Sequence, residues 1–175
     1  ATNFNQDIGG WDVGKVTNMS MMFRFVREFN GDISNWNTGE VGDMNNMFRK
    51  ATTFNRNISN WDVGNVTNMY GMFQNAEEFN QPIGDWNVGN VSAYYGLAYM
   101  FSGASNFNQD INTKEVTVNE KTYTAWDVRK VSRIDYMFQG ASEFNGDISN
   151  WDVGNLLNMN YMFYSAHAFN GDISN

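Results

Sequence analysis

Residues 29–53 read FNGDISNWNTGEVGDMNNMFRKATT, and the phrase begins again at Phe54 as FNRNISNWDVGNVTNMYGMFQNAEE. A fixed period of this length constrains the fold more than any single element, because each unit is too small to bury its own apolar side chains and borrows the missing core from its neighbours. Phe-Asn pairs open the units at Phe4, Phe29, Phe54, Phe79, Phe107, Phe144 and Phe169, at steps of 25, 25, 25, 28, 37 and 25 residues. The step of 28 carries a short insert within VSAYYGLAYMF, and the step of 37 a longer one between Ile111 and Trp126. Trp11, Trp36, Trp61, Trp86, Trp126 and Trp151 keep the same rhythm, so both inserts are loops grafted onto an intact frame.

Within a unit the apolar spacing changes character. Val66, Met69, Met72, Phe73 and Ala76 fall at steps of three and four, which predicts a helix or a 3₁₀-like turn over VTNMYGMFQNA. Trp61 and Val63 alternate with Asn60 and Asp62 as in a short strand, and Gly64 supports a change of direction after it. The expected fold is therefore an α/β repeat solenoid of strand-turn-helix units, with short parallel strands on one face and short helices or 3₁₀ turns on the other. About six and a half coils at the strand spacing would run roughly 30 Å. Asn5, Asn30, Asn55, Asn80, Asn108, Asn145 and Asn170 follow the Phe column and are expected to form a structural amide ladder, with the tryptophans as a second column. The methionines at helical spacing (Met19, Met22, Met44, Met47, Met69, Met72, Met137, Met159, Met162) read as core filling.

These same residues carry a family likeness. The phrase FNxDISNWDVGNVTNMxxMFxxAxx resembles the repeat of bacterial surface proteins and surface lipoproteins grouped with the BspA-like leucine-rich repeats, over nearly the whole chain. The resemblance implies a right-handed, leucine-rich-repeat-like coil at the extracellular cell surface, with a role in adhesion or protein binding to a host or matrix ligand. Leu occurs only at Leu97, Leu156 and Leu157, so Ile, Val, Met, Phe and Trp stand where ordinary leucine-rich repeats use Leu. The chain starts and stops within a phrase, which suggests that residues 1–175 are a single segment of a longer array.

Charge and motifs narrow the function classes. A net charge of −8 argues against nucleic acid, whose affinity rests on clustered Lys and Arg. There is no apolar run of the roughly 20 residues that spans a bilayer. Cysteine is absent, so no disulfide or thiolate metal site exists. No nucleophile-base pair, phosphate loop or zinc motif appears, and the single His167 sits at a variable, solvent-facing position, so a non-enzymatic module is expected and no catalytic residue is assigned.

Two polar or aromatic features remain. Asp7, Asp32, Asp110, Asp147 and Asp172 recur three residues after Phe, with Asn57 and Pro82 in the gaps, and Asp12, Asp62, Asp127 and Asp152 recur after Trp, with Asn37 and Asn87 in the gaps. Such rows either accept turn N–H groups or, through oxygen ligands, hold Ca²⁺ or a basic partner. The 112–125 insert alternates around Asn119-Glu120 and predicts a projecting hairpin whose Lys114, Val116, Val118, Glu120, Lys121 and Tyr123 could bind. The shorter insert adds Tyr94, Tyr95 and Tyr99, and together the two could form a Tyr-rich recognition patch. The alternative is a structural spacer that joins end to end through unpaired edges, with Ca²⁺ bridging the Asp rows.

Overall fold

An N–H in the segment with the three-and-four spacing has two competing acceptors: a carbonyl one turn back in its own unit, or one in the neighbouring unit. The computed structural model, which describes residues 2–173, shows that the choice alternates. Met69, Gly71, Phe73 and Asn75 donate across to the carbonyls of Gly96, Ala98, Met100 and Ser102 at 2.7–3.0 Å. Met72, Gln74 and Ala76, lying between them, donate to the carbonyls of Met69, Gly71 and Phe73, three residues back, at 3.0–3.1 Å. The same alternation runs through the other units, as in Met19, Met21, Phe23 and Phe25 donating to Asp43, Asn45, Met47 and Arg49.

This pattern corrects the expected fold class. Among the described residues there is no helix, α or 3₁₀, and the only strands are β1, Lys114–Val118, and β2, Lys121–Ala125, which pair antiparallel within the long insert. The expected strand around Trp61 and Val63 is absent as well: Trp61 N–H closes a turn onto the Ile58 carbonyl, and parallel pairing between units shrinks to isolated bridges such as Asn18 to Asp43 and Asp43 to Asn68. The chain is thus not a coil of strand-turn-helix units. Its apolar steps of three and four come from consecutive tight turns. Left-handed residues recur at two places in each unit, four residues apart, for example Met21 and Phe25, Asn46 and Lys50, Gly71 and Asn75, and Tyr161 and Ser165. A residue with φ near +60° cannot continue a right-handed helix, so each one resets the chain before a second helical turn can form.

Like side chains stack along the axis. Phe4, Phe29, Phe54, Phe79, Phe107, Phe144 and Phe169 form one column with ring centroids 5.7–6.1 Å apart. Phe23, Phe48, Phe73, Phe101, Phe138 and Phe163 form a second at 5.5–5.7 Å, and the two columns interlock at 3.9–4.0 Å. Offset stacking adds to the transfer energy of rings that are fully buried in the middle units. The 28- and 37-residue steps leave the first column undisturbed, at 6.1 Å from Phe79 to Phe107 and 5.9 Å from Phe107 to Phe144.

The polar atoms of the Trp and Asn columns are satisfied by the same repetition. Five of the six indole N–H groups reach back to an isoleucine carbonyl of the preceding unit: Trp36 to Ile8, Trp61 to Ile33, Trp86 to Ile58, Trp126 to Ile83 and Trp151 to Ile111, at 2.8–3.4 Å. The Asn column runs the opposite way, with the side-chain oxygen of Asn5 accepting the N–H of Asn30, and so on through Asn55, Asn80, Asn108 and Asn145 to Asn170, at 2.8–3.1 Å. Trp11, in the first unit, is 55% exposed. Met22 and Met159, in the first and last turn-rich segments, are also exposed, whereas Met44, Met47, Met69, Met72 and Met137 are fully buried. No helix among the described residues is long and apolar enough to cross a membrane.

Candidate functional site

The first left-handed position of each unit lies at the edge of the stack, away from the Phe and Trp columns, and in the later units it carries tyrosine. Tyr99, Tyr136 and Tyr161 occupy the place that Met21, Asn46 and Gly71 hold in the earlier units, at φ of +59°, +57° and +54°. Tyrosine in this conformation costs on the order of 1–2 kcal/mol per residue relative to glycine. The rings form a row, Tyr99 on Tyr136 at 4.6 Å and Tyr136 on Tyr161 at 5.1 Å. Tyr70 and Tyr164 join it edge-on, at 5.7 Å from Tyr99 and 5.9 Å from Tyr161. Burial raises the Tyr99 hydroxyl above its ordinary pKa of 10.0, with neighbouring Tyr136, Tyr70 and Asp135 adding to the shift.

The short insert packs beside this row. Tyr94 and Tyr95 are exposed and meet edge to face at 4.7 Å. Arg133, 39 residues further on, lies over both rings, 5.2 Å from the Tyr94 centroid and 4.6 Å from that of Tyr95, and donates to the Tyr94 hydroxyl at 3.2 Å. Its other anchor is the buried Asp135, whose Oδ2 accepts from Nε at 2.7 Å. The carboxylate and the Tyr94 hydroxyl hold the guanidinium firmly charged. Oδ1 of Asp135 is buried without a partner, so the carboxylate depends on Arg133 for compensation and fixes it in place. Arginine clamped over two tyrosines gives a rigid amphipathic platform of the composition found at interface anchors.

The long insert folds back rather than extending the row. Asn119 and Glu120, at φ of +49° and +67°, make the two-residue turn between β1 and β2. Val116 faces Tyr123 across the ladder, and both are half-buried against the core. The Tyr123 hydroxyl donates to the Asp85 carbonyl at 2.7 Å, and Lys114 pairs with the Asp85 carboxylate at 2.7 Å on the open surface. Val118, Glu120 and Lys121 remain exposed. No hydrogen bond, ion pair or ring contact among the described residues joins Tyr123 to Tyr94, Tyr95 or Tyr99.

The aspartates are spread one per turn. Asp7, Asp12, Asp32, Asp62 and Asp152 each accept the N–H two residues on, from Gly9, Gly14, Ser34, Gly64 and Gly154, at 2.9–3.1 Å. Asp127 accepts the corresponding N–H of Arg129 and takes both its Nε and Nη2, which hold its carboxyl below the usual range. Among the described residues no three His, Cys, Asp or Glu side chains gather as a metal would require. His167 is exposed.

The unit that builds this face recurs on both sides of the insert, and a family model matches residues 1–115 and again 113–175. The chain belongs to that family, described as Mycoplasma protein of unknown function, DUF285. The two matches meet at the start of β1, so the hairpin of this DUF285 chain lies at the junction of two runs of family repeats. No curated protein and no solved structure matches the chain. Tyr70, Arg133, Asp135, Tyr136, Tyr161 and Tyr164 complete the face around the candidates Tyr94, Tyr95 and Tyr99. Setting the units in register would reveal Tyr136 and Tyr161 below Tyr99, but nothing local marks Arg133.

Proposed function

We propose that this DUF285 chain is a non-enzymatic binding module of the cell surface that engages a protein partner through its tyrosine row. The observation that carries the reading is the conformational cost. Three successive units place Tyr at a left-handed position where Asn46 and Gly71 show that cheaper residues fit. None of the three rings belongs to the hydrophobic core: Tyr99 and Tyr136 are half-buried outside it and Tyr161 is 59% exposed. Tyrosine contributes large, rigid contact area with a hydroxyl at its rim, which suits a protein surface. The wording of the repeat is also similar to that of BspA-like surface proteins, which supports a place outside the cell and a role in adhesion.

Beads coated with the chain, allowed to settle on cultured animal cells, test this directly. The comparison is with the triple variant Tyr99→Asn, Tyr136→Asn, Tyr161→Asn, which keeps the backbone because Asn46 already occupies this place. Wild-type beads should adhere and the variant should lose most of that adherence. Equal adherence would remove the tyrosine row from the reading, and absence of adherence by both would remove adhesion.

A further inference from the structure

The same outer columns hold different chemistry at the other end of the stack. Arg24 and Arg49 occupy the place of Gln74 and Tyr164, and Phe25 and Lys50 the place of Asn75 and Ser165. The Arg24 guanidinium lies 4.9 Å from the Phe25 ring centroid and the Lys50 ammonium 5.3 Å from it. Phe25 is itself left-handed, at φ of +64°, and 39% exposed. Among the described residues the Arg24 guanidinium hydrogen-bonds only to the Met21 sulfur, at 3.5 Å, and that of Arg49 only to the Asn46 side-chain oxygen, at a long 3.4 Å.

These cations lack counter-charges. The ion pairs among the described residues belong to Lys114, Arg129 and Arg133, and none reaches Arg24, Arg49 or Lys50. Nε of Arg24 and Nε of Arg49 are buried with no acceptor, and Oε1 of Gln74, next in the column, is buried with no donor. Buried polar atoms normally find partners, so these three leave the half-buried cations of Arg24 and Arg49 without the internal acceptors that would hold and neutralise them. In a chain of net charge −8, a cluster of unpaired cations is not there for solubility.

We infer that Arg24, Phe25, Arg49 and Lys50 form a docking surface for an extended acidic segment of another protein. Same-face side chains of an extended peptide recur about every 6.6 Å, near the 5.5 Å between Phe23 and Phe48 in adjacent units. Carboxylates at alternate positions therefore meet Arg24 and Arg49, where charge-assisted bonds are strong. An apolar residue between the carboxylates covers the exposed Phe25 ring. The exposed Phe25 ring between the cations favours a polypeptide, which can bring an apolar side chain, over polyanions that carry none. The inference uses none of the residues of the tyrosine row and stands apart from it.

Fluorescence anisotropy of a labelled peptide of alternating Glu and Val, titrated with the whole chain, tests the assignment. The peptide should bind, weaken as salt rises, and lose at least about tenfold in affinity with Arg24→Gln and Arg49→Gln combined. Lys50→Asn, a change that Asn75 shows the backbone accepts, should give a smaller loss in a protein of unchanged melting temperature. Arg129→Gln with Lys130→Gln, an equal loss of charge elsewhere, should leave binding intact. Absence of binding, equal binding of a Gln-Val peptide, an equal loss in the Arg129 and Lys130 variant, or preference for a heparin oligosaccharide or single-stranded RNA would each overturn it.

Discussion

The inner columns and the outer columns of this stack obey opposite rules. Inside, Phe29, Phe54 and Phe79 keep one identity from unit to unit, because each ring has a copy of itself above and below at about 6.0 Å and any other shape would leave a gap on both sides. Outside, one column runs Arg24, Arg49, Gln74, Ser102, Gln139 and Tyr164, while the backbone beside it keeps the same left-handed turns. The difference shows that the turns do not depend on the letters they carry. The interior sets the frame, and the exterior is free to differ between its basic and tyrosine ends, which is where recognition is to be sought.

That contrast can be broken most forcefully from within. Phe54→Ala should cost about 3–5 kcal/mol, since it removes a fully buried ring from two interlocked columns; chemical denaturation should find the loss several times larger than for Tyr161→Ala on the outer row. Asn55→Ala deletes the acceptor of the Asn80 N–H and of the Gln81 amide, and should cost about 1–3 kcal/mol, with faster hydrogen exchange at Asn80. Gly103 and Ser165 share one left-handed column and should respond with opposite signs. A Cβ at Gly103, where φ is +70°, would collide with the Asn75 side-chain oxygen, so Gly103→Ala destabilises, whereas Ser165→Gly relieves φ of +60° and stabilises by about 0.5–1 kcal/mol.

The smallest effect concerns acid. Asp147 accepts the Ser149 N–H and the Asn112 amide, and these hold its carboxyl below the ordinary 3.8. A depressed folded-state pKa means that its stabilising share is complete above the unfolded value and is lost as pH falls through the folded one. Asp147→Asn should therefore be slightly less stable at neutral pH and show a shallower decline below about pH 4. A variant with an unchanged acid limb would show that this turn contributes nothing that titrates.

Period and column membership are legible in the letters because stacking repeats the demand at every unit: Phe, Trp and Asn return wherever burial or a ladder bond needs them. The absence of a helix is not legible, for a physical reason. Apolar steps of three and four are shared by a helix and by a string of tight turns, and the distinction lies in where the N–H of Gly71 or Phe73 goes, which depends on a unit that follows in the chain. Gly71, Gly103 and Gly140 hinted at left-handed positions, but Tyr99, Phe25 and Lys50 concealed them in other units because such residues rarely adopt that conformation. The β1–β2 turn rests on local sequence, so its strands coincide with the alternating runs on either side of Asn119-Glu120. Tyr94, Tyr95 and Tyr99 stood out as an insert, whereas Arg133 reaches them only after the stack has formed.

The central claim is that alternate N–H groups cross between units. Through-hydrogen-bond couplings in the NMR spectrum of the isotope-labelled chain test it most directly. Couplings from the amides of Met69, Gly71, Phe73 and Asn75 to the carbonyls of Gly96, Ala98, Met100 and Ser102 are predicted; couplings from consecutive amides to carbonyls four residues earlier in the same unit would contradict it.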